Sequence, residues 1–335
     1  MAIFLLRRVL QLMVVLWGGA TILFFIFYSL PSDPAVLLAG GSTGRAPNPQ
    51  VVENVRRNYG FDDPVPVQYV RYLGDLATGD LGESYKTKES VNSILARRLP
   101  TSLRLAFWAV IIEAVIGISS GMLSARRRNS IADTLTTSAA AIASAIPVFV
   151  LGVLIKQVTS VYAFENGWPS WAYFPGDGFG DDQQWYLGVI PSAAQAERLI
   201  QPAIVLAAVG TAILARITRT SMLETARLDH VRTARAKGLS ESRVQRRHVL
   251  RNAMIPVITV LGIDFGTMVG AAVLTETVFD IRGLGSQIVQ SAGARDLPVV
   301  LGLSMAVILI YGFANLVVDM SYAWFDPRVR LAGRR

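Results

Sequence analysis

Six stretches of this chain are long and apolar enough to cross a lipid bilayer, and no other feature restricts its fold as much. A helix crossing the hydrocarbon needs about 20 mostly apolar residues. Val9–Leu30, Thr134–Ile155 and Leu297–Val318 carry no charge, nor does the shorter Leu199–Ala215. Leu105–Ser124 carries only Glu113, and Asn252–Thr275 only Asp264. Inside lipid, backbone N–H and C=O groups have no water to bind, so segments of this length must be helical. The expectation is an all-α integral membrane protein with six transmembrane helices. Composition agrees. Hydrophobic residues make up 52% of the chain and charged residues 17%, where a soluble domain carries about 25% charge. Disorder is excluded, because it needs low hydrophobicity, and a soluble enzyme is disfavoured.

The chain has no cysteine, hence no disulfide framework, thiol nucleophile or cysteine metal site. Its two histidines, His230 and His248, have no carboxylate at ligand spacing, so no metal site is expected. Arg7 and Arg8 precede the first apolar run as in a signal peptide. That run exceeds an h-region of about 7–15 residues, so it is expected to stay as a span that ends at Pro31-Ser32-Asp33-Pro34.

Lysine and arginine set the orientation. They gather at Arg7 and Arg8, at Arg126–Arg128, between spans four and five, and after span six at Arg328, Arg330, Arg334 and Arg335. The two shorter loops on the opposite side hold only Arg198, Arg282 and Arg295. Alternate loops agree, so both termini are expected to face the cytoplasm. The net charge of +8 then reflects membrane orientation and contact with lipid, and no nucleic-acid partner is expected. The organisation expected is an N-terminal transmembrane helix (1–30), a long external segment (31–100), a core of five helices (101–320) with a cytoplasmic loop (219–252), and a tail (321–335). Within the external segment a helix is expected over Gln50–Tyr59, stopped by Gly60, and another over Val67–Leu76. A second external stretch holds Trp168, Trp171, Tyr173, Phe174, Trp185 and Tyr186. Such rings form an interfacial belt or dock an external partner.

The cytoplasmic segment 222–256 is too polar to span and too patterned for a slack loop. Ala226, Val231, Ala234 and Ala236 offer a small-residue surface between charges. Lys237-Gly238 reads as a helix C-terminus, and Ser240 followed by Glu241 reads as the next N-cap and first turn. The expected unit is helix, tight turn, helix. A run of about 14 residues would give roughly 20 Å of rigid rod feeding Pro256 and span five. A basic helix lying on anionic lipid is the plainer alternative, but it leaves the Gly-Ser break unexplained.

This segment, Asp229-His230-Val231-Arg232-Thr233-Ala234-Arg235-Ala236-Lys237-Gly238-Leu239-Ser240-Glu241, followed by Arg251-Asn252-Ala253 and Pro256, resembles the EAA loop of ABC-transporter permeases. The resemblance is to the dipeptide/oligopeptide/nickel importer branch, on the B-type side. Pro100-Thr101-Ser102-Leu103, Ser144-Ala145-Ile146-Pro147, Glu276-Thr277-Val278-Phe279, Gly283-Leu284-Gly285 and Arg295-Asp296-Leu297-Pro298 are similar to other blocks of that family. The chain departs from it at His230, where Tyr is common, and at Arg282, where Pro is common. The charges Glu113 and Lys156 also stand where neutral residues are expected.

The resemblance implies a type I ABC importer permease fold, a place in a bacterial plasma (inner) membrane and a role as half of a translocation pathway. The implied partners are a second, homologous permease subunit (C-type), two ATP-binding subunits and an external substrate-binding protein. ATP and Mg would belong to those subunits, and no cofactor is expected on this chain, which lacks the G-x-x-x-x-G-K-[ST] loop. It also implies that Arg232, Thr233, Ala234, Arg235, Ala236, Lys237, Gly238, Leu239 and Ser240 meet the ATPase. Peptides are the implied cargo, with nickel, glutathione or oligosaccharide as alternatives on the same machinery. A stand-alone secondary transporter or channel is the alternative outside this class.

Charges inside the membrane cost about 2.5–3.5 kcal/mol each on insertion scales and are usually functional or paired. Arg216, near the end of span four, is expected to snorkel to the interface. Glu113 pairs with Lys156, or Lys156 snorkels as well. Asp264 lines the pathway, or hydrogen-bonds within the bundle or to the second permease. By resemblance, Glu276 and Phe279 stand near an external gate.

Overall fold

The computed structural model describes residues 2–28, 35–36, 48–169, 171–179 and 185–325. Six of its helices are long and apolar enough to cross a membrane. Helix α1 is Ala2–Tyr28, α2 is Pro49–Tyr59 and α3 is Val65–Thr78. Helix α4 is Val91–Arg126, α5 is Ile131–Ala145 and α6 is Val148–Lys156; α6 continues through a π-helical turn to Glu165. A short hairpin, β1 (Trp185–Tyr186) and β2 (Ile190–Pro191), precedes α7, Ala193–Thr225. Helix α8 is Asp229–Ala236. A turn at Glu241–Arg243 and a π-helical turn at Val244–Val249 then lead into α9, Leu250–Val278. Helices α10 (Leu284–Gly293) and α11 (Leu297–Phe325) close the described chain. The expected stop at Pro31–Pro34, Pro47 and the basic tail residues from Arg328 on lie outside the described residues.

The third span differs from its expected form. Thr134–Ile155 reads as one charge-free run, but the helix breaks at Ile146, which is extended (φ −89°, ψ 127°). The cause is Pro147: the residue before a proline is pushed out of the helical region, and the proline has no N–H to continue the ladder. The span-length helix is the second part, Val148–Glu165. Charge-free runs also under-report helix length. The fourth reads as Leu199–Ala215 but runs Ala193–Thr225, because its polar turns continue past the apolar stretch.

The chain divides into two compact units, Ala2–Leu99 with Gln287–Gly312, and Pro100–Ser286 with the chain from Phe313 on. In the first, Tyr69 of α3 hydrogen-bonds Thr21 of α1 (2.6 Å), and Tyr72 stacks on Phe24 (5.7 Å). Gly60 caps α2 in the left-handed conformation (φ 65°), as its position in the sequence suggests. The block Arg295-Asp296-Leu297-Pro298 acts here as a clasp, since buried Asp296 accepts from Ser84 Oγ (2.5 Å) and Tyr85 N (2.9 Å).

Helix α7 is the hub of the second unit, with α5, α6 and α9 all packed on it. Lipid tails are as apolar as leucine, so association here rests on close packing and small residues. Gly117 and Gly121 form a G-x-x-x-G pair on α4. A Cβ at Gly121 would lie 2.5 Å from the Ala215 carbonyl oxygen, and one at Gly117 3.0 Å from Leu214. At Gly121 the α7 backbone comes close beside the Thr218 side chain, and at Gly117 the Leu214 side chain fills the space that the missing Cβ leaves. On the basic side, Asp133 of α5 takes a bidentate bond from Arg219 of α7 (2.8 and 2.9 Å). It also accepts from Ser124 Oγ and Asn129 N, which ties α4, α5 and α7 together.

Candidate coupling loop and intramembrane carboxylates

Helix α8 ends in a left-handed glycine. Gly238 has φ 76°; its N–H reaches the Arg235 carbonyl (2.9 Å), and the Leu239 N–H reaches that of Ala234 (3.4 Å). This reciprocal pair satisfies carbonyls that the helix end would otherwise orphan. Ser240 sits at the N-cap position of the following turn, but its side chain makes no capping bond. The turn is held instead by Glu241, which accepts two bonds from Arg235 (3.1 and 2.9 Å) and one from Gln245 (3.0 Å).

The rod is shorter than the sequence suggests. Helix α8 has eight residues, about 12 Å at 1.5 Å each, because α7 takes the chain up to Thr225 and Leu228 is extended. Its small residues also do not share one outward face. Val231 and Ala234 are buried with Met222, Val244, Val249 and Ala253. They fasten α8 to the base of α7 and to the start of α9. The outward face consists of Arg232, Thr233, Arg235, Ala236, Lys237 and Gly238, all exposed. Asn252 of α9 bonds the His248 carbonyl (2.9 Å) and meets His230 Nε2 (3.1 Å). The elbow is therefore rigid, basic on the outside and locked to the span that follows it.

Arg219 is the main reason the Asp133 carboxyl is held well below the usual carboxylate range, with the Ser124 hydroxyl and the Asn129 N–H adding to the effect. Nothing in the spacing of Asp133 and Arg219 announces this pair; Asp133 lies just before an apolar run and Arg219 inside a basic one.

Deeper in the spans, the Glu113–Lys156 pair, one of the two alternatives for Lys156, does not form. The Lys156 ammonium donates to the Val278 carbonyl (2.7 Å) and lies 5.9 Å from the centre of the Phe279 ring. Glu113 faces Asp264 instead. Glu276 and Phe279 are both sealed from solvent, at 0% and 1% exposure. Glu276 accepts from Ser102 Oγ (2.5 Å) and Ser286 N (3.0 Å), while Ser102 Oγ accepts from Leu284 N (2.8 Å). Its carboxyl group thus lies at the N-terminus of α10, whose backbone N–H groups are turned towards it. Three separate sequence blocks, Pro-Thr-Ser-Leu, Glu-Thr-Val-Phe and Gly-Leu-Gly, are one interlocked joint.

Comparison with known proteins adds the following. Residues 117–331 match the family described as binding-protein-dependent transport system inner membrane component. Residues 1–106 match the N-terminal region described for such membrane components. A dipeptide transport system permease of Alkalihalophilus pseudofirmus is 34% identical over 339 residues, covering 98% of this chain and 100% of that protein. A di/tripeptide transport system permease of Pseudomonas aeruginosa is 34% identical over 342 residues, covering 98% of each chain.

Proposed function

The chain belongs to the binding-protein-dependent transport system inner membrane components, the permease subunits of ABC importers, and from that premise we propose that it forms half of a pathway for di- or oligopeptides. The work of ATP hydrolysis lies in separate subunits. In this reading two of them grip the outward face of α8, a second permease completes the pathway, and an external binding protein delivers the peptide. Both termini and the elbow then face the cytoplasm.

The carrying observation is the elbow itself. A basic helix that ended loosely would only lie on lipid. Here α8 is closed by Gly238, clamped by Arg235 to Glu241, and packed through Val231 and Ala234 against the residues that open α9. A push on α8 is delivered to α9 as a rigid displacement. That is what a two-state, nucleotide-biased pore requires. Peptide cargo is supported by the names of the full-length relatives.

The test is reconstitution of the complete transporter, loaded binding protein included, in proteoliposomes. ATP-dependent accumulation of L-alanyl-L-alanine is expected. Peptide flux through this chain alone, with ATP and the ATPase subunits left out, would favour a secondary transporter or channel instead.

A further inference from the structure

We propose that the gap between α4, α5 and α7 binds one anionic phospholipid, with an acyl chain in the gap and the phosphate on Arg216 at its mouth. In the permease reading this lipid belongs to the cytoplasmic leaflet. The residues that line the gap all lie in the second compact unit. They enclose a cavity of about 460 Å³. Ile112 and Ile116 of α4, Leu135 of α5 and Ile204 of α7 are its bulky walls, and alanines make up most of the remainder. Small residues in a membrane bundle ordinarily let helices close on one another, as Gly117 and Gly121 do between α4 and α7. Here α5 stands off instead. It is fixed at one end, where Asp133 takes bonds from Arg219 and Ser124, and it breaks at Ile146 at the other.

An empty apolar cavity forfeits the packing contacts of its lining. In a bilayer the material at hand to fill it is the lipid tail. If a methylene takes up about as much space as a water molecule, about 30 Å³, a cavity of 460 Å³ holds roughly 15 of them. That is one acyl chain and not two.

The mouth chooses the headgroup. Thr136, Ala140 and Ala215 line both this cavity and a smaller recess that adjoins it on the basic side, where Ser124, Arg216 and Arg219 complete the lining. The path between the two is continuous. On α7, Ile204, Ala208, Ala212, Ala215 and Arg219 follow one another at steps of three or four residues, and so share a helix face. Ile112, Ile116, Ser120 and Ser124 do the same on α4. Arg219 gives Nε and Nη2 to Asp133, so its charge is balanced. Arg216 is exposed and has no hydrogen bond or ion pair among the described residues. It is the surplus charge at the opening. Arg126, Arg127 and Arg128, exposed in the turn that joins α4 to α5, add to the positive potential on that side. Basic recesses between spans suit anionic headgroups, and a guanidinium offers a fork of donors that matches a phosphate. A free phosphate would engage Arg216 and leave the cavity empty. A zwitterionic lipid would fill the cavity but bring a cation to a basic mouth.

The test counts lipids on the whole transporter by native mass spectrometry, after exchange into detergent that carries dioleoylphosphatidylglycerol or dioleoylphosphatidylcholine. The unaltered transporter is expected to prefer phosphatidylglycerol. Arg216→Gln should weaken retention of one phosphatidylglycerol per copy of this chain by about fivefold, which is what one basic residue near a membrane surface contributes. Its retention of phosphatidylcholine should not change. Ala208→Phe fills the cavity and should abolish that one retained lipid with the mouth intact. Glycerol 3-phosphate, a headgroup without chains, should not displace it. Equal phosphatidylglycerol retention by Arg216→Gln and the unaltered chain would overturn the proposal, whether or not Ala208→Phe assembles. Displacement by glycerol 3-phosphate would also overturn it, because the site would then take a free phosphate. So would equal retention of the two lipids by the unaltered chain, since any tail would then serve. Absence of ATP-driven peptide uptake by the unaltered transporter would remove the permease reading and leave these lipid counts as they stand.

Discussion

Asp133 and Arg219 show how much one buried pair organises in this chain. Asp133 is 5% exposed and joins three helices where they emerge on the basic side. Removing one partner of such a pair leaves the other charge uncompensated. Asp133→Asn is therefore expected to lower the thermal midpoint of the detergent-solubilised protein at pH 7.5. The pH dependence has a definite sign. The folded carboxyl holds its proton more weakly than the unfolded one, so the unfolded state takes up more protons as pH falls and stability declines. The contribution is whole above the unfolded value, about 3.9, and fades below it. The gap in midpoint between the unaltered protein and Asp133→Asn should be flat from pH 8 to pH 5 and narrow only near pH 4 and below. A gap that already closes by pH 6 would mean that Arg219 does not hold this carboxyl as described. Neither residue stands out in the sequence, where their partnership is hidden by a separation of 86 positions.

At the scale of elements, the elbow was largely legible and its packing was not. Lys237-Gly238-Leu239-Ser240-Glu241 announces a helix end and a new start, and the structure has both. The sequence does not say which side of an eight-residue helix faces inward, because its two alanines, Ala234 and Ala236, stand on nearly opposite sides of it. Ala234 reads like Ala236, yet Ala234 is 5% exposed and Ala236 is exposed. Glutamate should separate the two positions. Ala234→Glu places an unpaired charge among Met222, Val231, Val244, Val249 and Ala253, which is costly. It should reduce the yield of folded protein and lower its thermal midpoint. Ala236→Glu should fold like the unaltered chain and lose ATPase-driven uptake through altered contact with the subunit outside. Equal folding of both variants would contradict the packing of α8. The broken third span has the same lesson in reverse: hydropathy alone joins Thr134 to Ile155, whereas Ile146-Pro147 carries a readable stop. The G-x-x-x-G pair of α4 was equally readable as a contact signal, once a six-helix membrane protein is accepted.

For the molecule as a whole, six spans and a basic elbow joined to the fifth describe a transmission. Apolar side chains that stay exposed along α1, among them Leu6, Met13, Val14, Trp17 and Ile22, suit lipid or a neighbouring subunit. Three of the buried polar groups, Asp133, Glu276 and Asp296, stand at such joints. Family blocks that look independent along the chain, such as Ser102 and Glu276, become one joint in three dimensions. A single sequence shows such blocks but not their mutual contact. The central claim is that the outward face of α8 is held by a separate ATPase. The chain has no cysteine, so a single Ala236→Cys reports without background. In membranes containing the whole transporter, with one cysteine on the ATPase surface, oxidative cross-linking between Ala236→Cys and that subunit is expected, and its yield should change when ATP is added. A variant that transports normally yet forms no cross-link from any cysteine position across that surface, with or without ATP, would contradict the claim.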